Sequence, residues 1–355
     1  MSGDPTLRRA RNMTWQNSQY EAIASHISLA ESSVESRVDF FRNTPADELI
    51  NKIPPAGHWS AAIDGTFVRY DITIGILSDP NDNRGKPDWC EQIFVGDAEH
   101  DATCLHARVM SLPPTELMKR LHGGLESTLS ISQSEKVLTD YSLTPMYQNP
   151  RIQSAEPHSQ FYDSVLELAS DLRFHLPKVK LAEGFANRRL TGSGLAKKET
   201  KWTKCWRYEY HQSLQERQLT LRFKPNPILG SNFSNYAGHE QELAFLLQNF
   251  PALSSFSHSG HSPPHEIQEK TAEFGKNMAA VWIGFAHGEG IHSPGNRNQK
   301  EQTDDKVLVM GPNYEFKFVA KDEYNREYRK GRVEKLWEHI PWQRWFELGE
   351  KLQGC

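Results

Sequence analysis

The chain has 355 residues, enough for one large domain or two ordinary ones. Its net charge of -4 provides no field for attracting nucleic acid and no polybasic anchor for a membrane surface. The longest apolar run, residues 279–286, is far shorter than the roughly 18 residues of a membrane span. We therefore expect a globular protein with no nucleic-acid partner and no membrane span.

Cysteine usage argues against zinc and redox centres. The four cysteines are Cys90, Cys104, Cys205 and Cys355, and none of them forms a C-x-x-C pair. A single Cys90–Cys104 disulfide and four free thiols are both open at this point. We predict no metal and no cofactor.

The first fifteen residues lack the apolar segment of a secretory signal. Arg8, Arg9 and Arg11 resemble a transit peptide, but Asp4 and the absence of an amphipathic pattern argue against one. The location therefore stays open, cytoplasmic for the sequence as it stands, and the oligomeric state is open as well.

Apolar residues at helical spacing predict helices along most of the chain. Thr44 is the predicted cap of the third helix, with Pro45 at its first position. Residues 333–352 are predicted as one Trp-rich terminal helix facing inward with Leu336, Trp337, Ile340, Trp345 and Phe346. The other predicted helices are residues 19–29, 33–41, 113–121, 134–141, 160–174, a segment after His239 that ends at Phe250, and 271–286.

Residues 92–103 organise the chain. A short apolar run, residues 93–95, stops at Gly96 and is followed by Asp97, Glu99 and Asp101, a pattern typical of a buried parallel strand. Functional side chains of open α/β sheets lie just beyond such strand ends, although a carboxylate in a strand-to-helix turn is often structural. Further strands are predicted at residues 205–211, 307–310 and 315–319.

These patterns predict an α/β fold with a mixed sheet. Residues 93–95 and 206–211 should be neighbouring strands, and the helix at 271–286 should pack on one face of the sheet. Residues 54–75 and 78–86 are predicted as loops, the second a charged surface turn.

Two polar segments could suggest binding sites. Residues 187–204 are predicted as a basic exposed loop, and the basic–aromatic stretch at 205–211 fits a strand better than a nucleic-acid patch, given the acidic net charge. His258, His261 and His265 lie close together without zinc-finger or helical spacing, which disfavours a metal site.

The segment Gly-Asp-Ala-Glu-His-Asp-Ala-Thr at residues 96–103 resembles the acid turn of type B carboxylesterases, the cholinesterase-like branch of the α/β-hydrolases. Asp101 takes the position of the family's acid, and Ala102 replaces its usual Gly. Residues 237–247, Ala-Gly-His-Glu-Gln-Glu-Leu-Ala-Phe-Leu-Leu, resemble the family's histidine loop, with His239 as the histidine. The resemblance implies that Asp101 and His239 are catalytic residues acting on a small-molecule ester.

Three further segments resemble the family in the same order along the chain. They are Asp-Gly-Thr-Phe at 64–67, Asp-x-x-Phe-x-x-Pro at 171–177 and Trp-x-x-Phe-Ala at 282–286. Residues 1–3 resemble the strand that follows the family's nucleophile, and the loops are similar to those of fungal members. The resemblance therefore implies that residues 1–355 form a single domain, the C-terminal portion of an incomplete α/β-hydrolase fold.

The nucleophile motif of that fold is missing from the sequence. No G-x-S-x-G is present, and the one glycine pair at that spacing, Gly284 and Gly288, encloses Ala286 and follows His239. No H-G-G-G-type oxyanion segment is present either.

We consider three hypotheses. The first is a truncated ester hydrolase that has little activity alone, the second a non-catalytic binding protein on the same fold, and the third a remnant that does not fold stably. An in-frame G-x-S-x-G in the coding sequence upstream of Met1 would favour the enzyme.

Overall fold

A computed structural model describes residues 10–53, 61–144, 160–187, 189–190, 201–212, 237–239, 241–248, 265–292, 294 and 305–352. The chain divides into two compact units, Thr6–Ile76 and a larger unit of Leu77–Cys355 with Met1–Pro5. Whether residues 1–355 behave as one domain stays a prediction. Within the described ranges, no helix has the length and apolar character needed to cross a membrane.

The smaller unit contains β1 (Arg11–Asn12), α1 (Met13–His26), α2 (Val34–Asn43), α3 (Ala46–Lys52) and β2 (Ala62–Ile63), with β1 and β2 paired in parallel. Its third helix does not begin as predicted. Pro45 is the N-cap, and the Thr44 hydroxyl instead donates to the Phe40 carbonyl at the end of α2, over 2.6 Å. A residue before proline is pushed into extended backbone, so Thr44 closes one helix and does not open the next.

The larger unit carries the main sheet and most of the helices. A helix at the boundary in sequence comes first, α4 (Ile74–Ser78), followed by β3 (Gln92–Ala98), a 3₁₀ turn (Asp101–Leu105), α5 (His106–Met110), α6 (Pro114–Glu126), α7 (Ile131–Asp140), α8 (Gln160–Ser170), a π turn (Asp171–His175) and α9 (Leu176–Ala186). The middle of the unit contains β4 (Arg189–Leu190), β5 (Lys201–Trp202), β6 (Lys204–Tyr210), α10 (Gln241–Leu246) and α11 (His265–Ala286). The last elements are β7 (Lys306–Met310), β8 (Phe316–Ala320), α12 (Lys321–Glu327), α13 (Arg332–Lys335), a second 3₁₀ turn (Trp337–His339) and α14 (Trp342–Leu352).

The main sheet is mixed and has the strand order β3-β6-β7-β8. The first three strands are parallel and β8 is antiparallel to β7. The predicted neighbours β3 and β6 pair along their whole length, which places Gly96 opposite Tyr208 and Asp97 opposite Glu209. Helices flank this sheet, so the predicted α/β fold is confirmed.

One face of the sheet is covered by α11, as predicted. Phe274, Met278 and Val281 of this helix belong to the same buried apolar cluster as Phe94 and Tyr208 of the strands. A separate buried cluster unites α6, α7, α8 and the C-terminal segment. Each flanking layer thus buries one apolar helix face, which is the dominant stabilising term in such a fold.

The predicted terminal helix at residues 333–352 is wrong as a single element. It is divided into α13, the second 3₁₀ turn and α14, with Ile340 in extended backbone immediately before Pro341. Proline cannot donate within a helix and disfavours helical backbone in the preceding residue, which explains the break. Leu336, Trp337, Ile340 and Trp345 are buried as predicted, and Phe346 is partly buried.

Other sequence expectations also need adjustment. The predicted loop at 187–204 contains the short antiparallel pair β4–β5, and residues 191–200 lie outside the described residues. Lys86, in the predicted charged surface turn, is buried, and its Nζ donates to the carbonyls of Asp79 and Asp82. His258 and His261 lie outside the described residues, and His265 begins α11 as an exposed residue.

The cysteine alternatives are settled for three of the four residues. Cys90, Cys104 and Cys205 are not joined in disulfides, so the Cys90–Cys104 disulfide is not formed. Cys355 lies outside the described residues.

A π turn interrupts the long helical segment formed by α8 and α9. The N–H of Leu176 donates to the carbonyl of Asp171, five residues earlier, so the segment widens between α8 and α9. Pro177 follows directly and would lose a hydrogen bond and clash with the preceding turn in a regular α-helix. The wider turn accommodates it, and wide turns of this kind frequently occur at functional sites.

Replacing Gly96 with alanine tests the packing between β3 and β6. An added Cβ would lie 2.4 Å from the Tyr208 ring, so we expect Gly96→Ala to reduce the free energy of unfolding by about 1–3 kcal/mol. Gly123→Ala is the matched control, because Gly123 is exposed in α6 and an added Cβ there meets no atom within 4 Å. Alanine should stabilise that position by about 0.5–1 kcal/mol. Urea unfolding measures both, and equal effects would contradict the packing argument.

Candidate functional site

The acid turn follows β3 directly and is held by backbone hydrogen bonds. Asp101 begins the first 3₁₀ turn, and its Oδ2 accepts the N–H of Ala98 at 3.0 Å. The N–H of the next residue, Ala102, donates to Ser170 Oγ at 3.0 Å. These contacts fix the carboxylate, which is only 1% exposed.

The histidine loop lies beside this turn. His100 and Gly238 form a parallel bridge just past the end of β3, and the N–H of His100 donates to the Ala237 carbonyl at 3.0 Å. Thr103 Oγ1 accepts the N–H of His239 at 3.1 Å. A Cβ on Gly238 would lie 2.8 Å from that hydroxyl oxygen, so only glycine allows the two segments to approach this closely.

Asp101 and His239 contact each other at this junction. His239 Nδ1 lies 2.6 Å from Asp101 Oδ1, so the predicted approach of the two side chains is present. The Phe174 ring, supplied by the π turn, packs 5.6 Å from the imidazole. The histidine side chain is 26% exposed, whereas the carboxylate is buried. Their catalytic roles stay a prediction.

Burial controls the electrostatics of Asp101. Desolvation raises the pKa of its carboxyl group, the hydrogen bond with His239 opposes that rise, and the charge of Asp97 adds to it. An ionised Asp101 can only accept, so His239 Nδ1 then carries a hydrogen. The imidazole is thereby oriented with Nε2 as the nitrogen that would exchange a proton with a reacting group.

A buried ion network lies behind the site, between the sheet and α9. Lys178 Nζ donates to both Asp97 Oδ1 and Glu209 Oε1, which stand opposite each other on β3 and β6. Arg329 Nη2 donates to Asp97 Oδ2 at 3.0 Å. Burial alone would raise the pKa of Asp97, but Lys178 and Arg329 outweigh it and hold this pKa below its usual value.

The network continues into the helical layer. Arg329 Nη1 also donates to Asp171 Oδ1 at 3.2 Å, and Arg332 Nε donates to Asp171 Oδ2 at 2.9 Å. Tyr141 OH donates to the same oxygen at 2.6 Å. Despite burial, Arg332 and Arg329 hold the pKa of Asp171 below its usual value. The carboxylates of Asp97, Glu209 and Asp171 thus each contact at least one buried cation of this network.

Asp97, His175 and Glu209 have the donor types of a metal site, with ligand atoms within 4.8 Å of one another. Their chemistry does not fit one, because the ammonium of Lys178 already contacts both carboxylates. A cation would have to displace that ammonium and lie near the Arg329 guanidinium. Burial, together with the charges of Arg329 and Lys178, also keeps the pKa of His175 well below 6.5, so the imidazole is neutral here.

A second histidine–carboxylate pair lies one strand away from His239. His211 Nδ1 is 3.0 Å from Glu99 Oε2, and its Nε2 is 3.1 Å from Tyr324 OH. Burial raises the pKa of Glu99, but the hydrogen bond and charge of His211 dominate and bring it to about 2. Sequence reasoning missed this pair, although Glu99 lies in the acid turn and His211 at the end of a predicted strand.

A cavity of about 250 Å³ adjoins the acid turn. His100 and Thr103 form its wall on the side of the acid turn, and Ser164, Leu166 and Glu167 of α8 form the opposite wall. Thr103 thus borders this cavity and, through its hydroxyl oxygen, accepts the His239 N–H.

Asp97 and Asp101 should affect stability in opposite directions. The pKa of Asp97 is lowered in the folded state. Ionised Asp97 therefore stabilises the fold above the unfolded-state pKa, and this stabilisation is lost as pH falls through the folded-state pKa. Asp97→Asn leaves Lys178 and Arg329 short of a buried partner and should cost about 3–5 kcal/mol at pH 7.

The matched Asp101→Asn variant should be at least as stable as the wild type at pH 7. The folded-state pKa of Asp101 is raised, so the folded protein binds more protons than the unfolded chain between the two pKa values. Stability therefore falls as pH rises through that window, and asparagine removes the charge responsible. Thermal unfolding at pH 4 and pH 7 measures this. A lower Tm for Asp101→Asn at pH 7 would contradict it.

Thr103→Val tests the contact that positions His239. The nearly isosteric valine removes the acceptor for the His239 N–H, and we expect a loss of about 1–3 kcal/mol together with a shift of the His239 ring resonances by NMR. Thr128→Val is the control, since Thr128 is as buried as Thr103 but donates to the Gly124 carbonyl at the end of α6. Equal His239 shifts in both variants would show that the contact has no positioning role.

Comparisons with known proteins give limited similarity. No protein-family model and no curated protein matches the chain. Among solved structures it is similar to juvenile hormone esterase from Manduca sexta, crystallised with OTFP covalently attached, at 12% identity and a TM-score of 0.47. The alignment covers 98% of this chain and 57% of the esterase chain, so this chain spans little more than half of that enzyme.

Proposed function

We propose that this chain carries the acid and the general base of a serine-type carboxylic ester hydrolase. The observation that supports the proposal is the 2.6 Å contact between His239 Nδ1 and the buried Asp101, beyond the end of a parallel strand. That combination of a buried carboxylate and a partly exposed imidazole is the orienting half of a catalytic triad.

The proposed reaction uses the two residues in sequence. His239 Nε2 takes the proton of a serine hydroxyl as the oxygen attacks the ester carbonyl, and returns it to the leaving alcohol. Asp101 keeps Nδ1 protonated and stabilises the imidazolium that forms. Water then attacks the acyl-enzyme in the same way, releasing the carboxylic acid. No cofactor and no metal take part.

The serine is the component that the sequence does not provide. No G-x-S-x-G occurs in the 355 residues, and we propose that the nucleophile is supplied from outside them, as in a truncated member of the type B carboxylesterases. The substrate class is a small-molecule carboxylic ester.

The second candidate is a non-catalytic binding protein on the same fold. The missing nucleophile motif favours it directly, because triad chemistry falls by orders of magnitude when the serine is absent. In this case, Asp101 and His239 would hold the acid turn against the histidine loop without taking part in a reaction.

A fluorophosphonate probe, which labels only an activated serine, separates the two functions. We expect no labelling of this chain alone and stoichiometric labelling once an upstream coding region with G-x-S-x-G is joined to it. His239→Ala should abolish that labelling, and Asp101→Asn should reduce ester turnover by about 10⁴. His122→Ala is the control, because His122 forms an exposed pair with Glu126 on α6.

Two results would contradict the proposal. Labelling of this chain alone, abolished by His239→Ala, would show that a serine within it is the nucleophile. Absence of labelling in the extended protein, with circular dichroism showing it folded, would favour the binding protein.

A further inference from the structure

A second and larger cavity opens at the opposite end of the sheet. It measures about 500 Å³ and lies where β6 and β7 begin, as shown by Cys205, Arg207 and Lys306 in its wall. The Asp101–His239 pair lies past the carboxyl end of β3. A volume of this size is within the usual range of small-molecule sites.

Arg207 is the unusual group in this wall. Its side chain is 9% exposed, and Nη2 donates to Glu209 Oε1 at 3.2 Å. Lys178 already binds that oxygen, so Arg207 shares its carboxylate acceptor with a second cation. Its Nε is buried and, within the described part of the chain, has no hydrogen-bond partner.

A buried guanidinium with unused donors is costly unless an acceptor meets it. Arginine presents five N–H donors in a planar fork that matches a carboxylate, and only one of its nitrogens is bonded to a described residue here. An anion in the cavity would accept from the part of the Arg207 guanidinium that borders the cavity, since Nε itself has almost no accessible surface.

The rest of the wall restricts which anion fits. Lys180 is paired with Glu183 at 2.6 Å, and the lining as a whole contains four cationic residues and four carboxylates. A near-neutral lining offers little to offset the larger desolvation cost of a multiply charged phosphate, so a single carboxylate is favoured. Much of the remaining surface is apolar and is provided by Leu176, Val179, Ala182, Ala186, Val333, Trp337 and Trp345.

We propose that this cavity binds a small monocarboxylate with an apolar body. The carboxylate would lie against the Arg207 guanidinium, and the apolar body would contact Val179, Ala186 and Trp337. The proposal does not depend on the ester-hydrolase function, because none of these residues belongs to the Asp101–His239 site.

Isothermal titration of the chain with 4-phenylbutyrate tests the proposal, with 4-phenyl-1-butanol as the uncharged probe and phenyl phosphate as the dianion. We expect the carboxylate to bind, and both other probes to bind at least about tenfold more weakly. Arg207→Gln should weaken the carboxylate at least about tenfold, because the charge-assisted bidentate contact is lost. Arg120→Gln, an exposed arginine paired with Glu116, is the control and should have no effect.

A cavity-filling variant keeps the test decisive if Arg207→Gln is unstable. Ala186→Phe occupies the cavity without removing the guanidinium and should abolish binding, whereas Ala280→Phe, on an exposed part of α11, should not. The proposal fails if the wild type does not bind 4-phenylbutyrate, or if Ala186→Phe binds it unchanged. Equal binding of the alcohol and the carboxylate would assign the cavity to apolar ligands and would also overturn it.

Discussion

The buried contact of Lys178 with Asp97 and Glu209 is the interaction on which this structure depends. The two carboxylates stand opposite each other on neighbouring parallel strands, where their like charges would repel in a low-dielectric interior. Lys178 of α9 bonds to both, and Arg329 extends the compensation to the helical layer. The register of β3 against β6 and the position of α9 are therefore coupled, because a shift of either would leave a buried ion without its partner.

The same strand end carries two aspartates with opposite electrostatic environments. Asp97 is surrounded by cations, which lower its pKa, whereas burial and the neighbouring charge of Asp97 raise that of Asp101. The first is arranged for stability. The second is kept at an energetic disadvantage by its burial. The hydrogen bond with His239 lowers the pKa of Asp101 and so offsets part of the cost of ionising this buried carboxyl group.

The sequence allowed the strands and the Asp101–His239 pair to be predicted, because both depend on local signals. An apolar run ending at Gly96 marks a strand, and a resemblance over short segments singled out Asp101 and His239, whose side chains are in contact. Pro341 predicts a break through its own backbone constraint, although the amphipathic periodicity continues across it.

The ion network could not be predicted, because its members are far apart in sequence. Lys178, Glu209 and Arg329 come from a helix, a strand and the segment between two helices, and no local pattern pairs them. A lysine or arginine in a polar sequence is ordinarily assigned to the surface. The prediction for Lys86 is wrong for the same reason. Its position in a charged turn predicted exposure, but its ammonium is buried against backbone carbonyls.

Strand β6 connects the features of the larger unit because alternate residues of a strand point to the same side. Three alternate residues, Arg207, Glu209 and His211, follow one another toward the carboxyl edge of the sheet. Neighbours in this series are about 7 Å apart along the strand. Arg207 borders the large cavity, Glu209 joins the ion network, and His211 contacts Glu99 of the acid turn. Glu209 Oε1 accepts from both Arg207 and Lys178, so a ligand that draws Arg207 away would leave that oxygen to Lys178 alone. Lys178 also contacts Asp97, so the border of the cavity and the ion network share one set of hydrogen bonds.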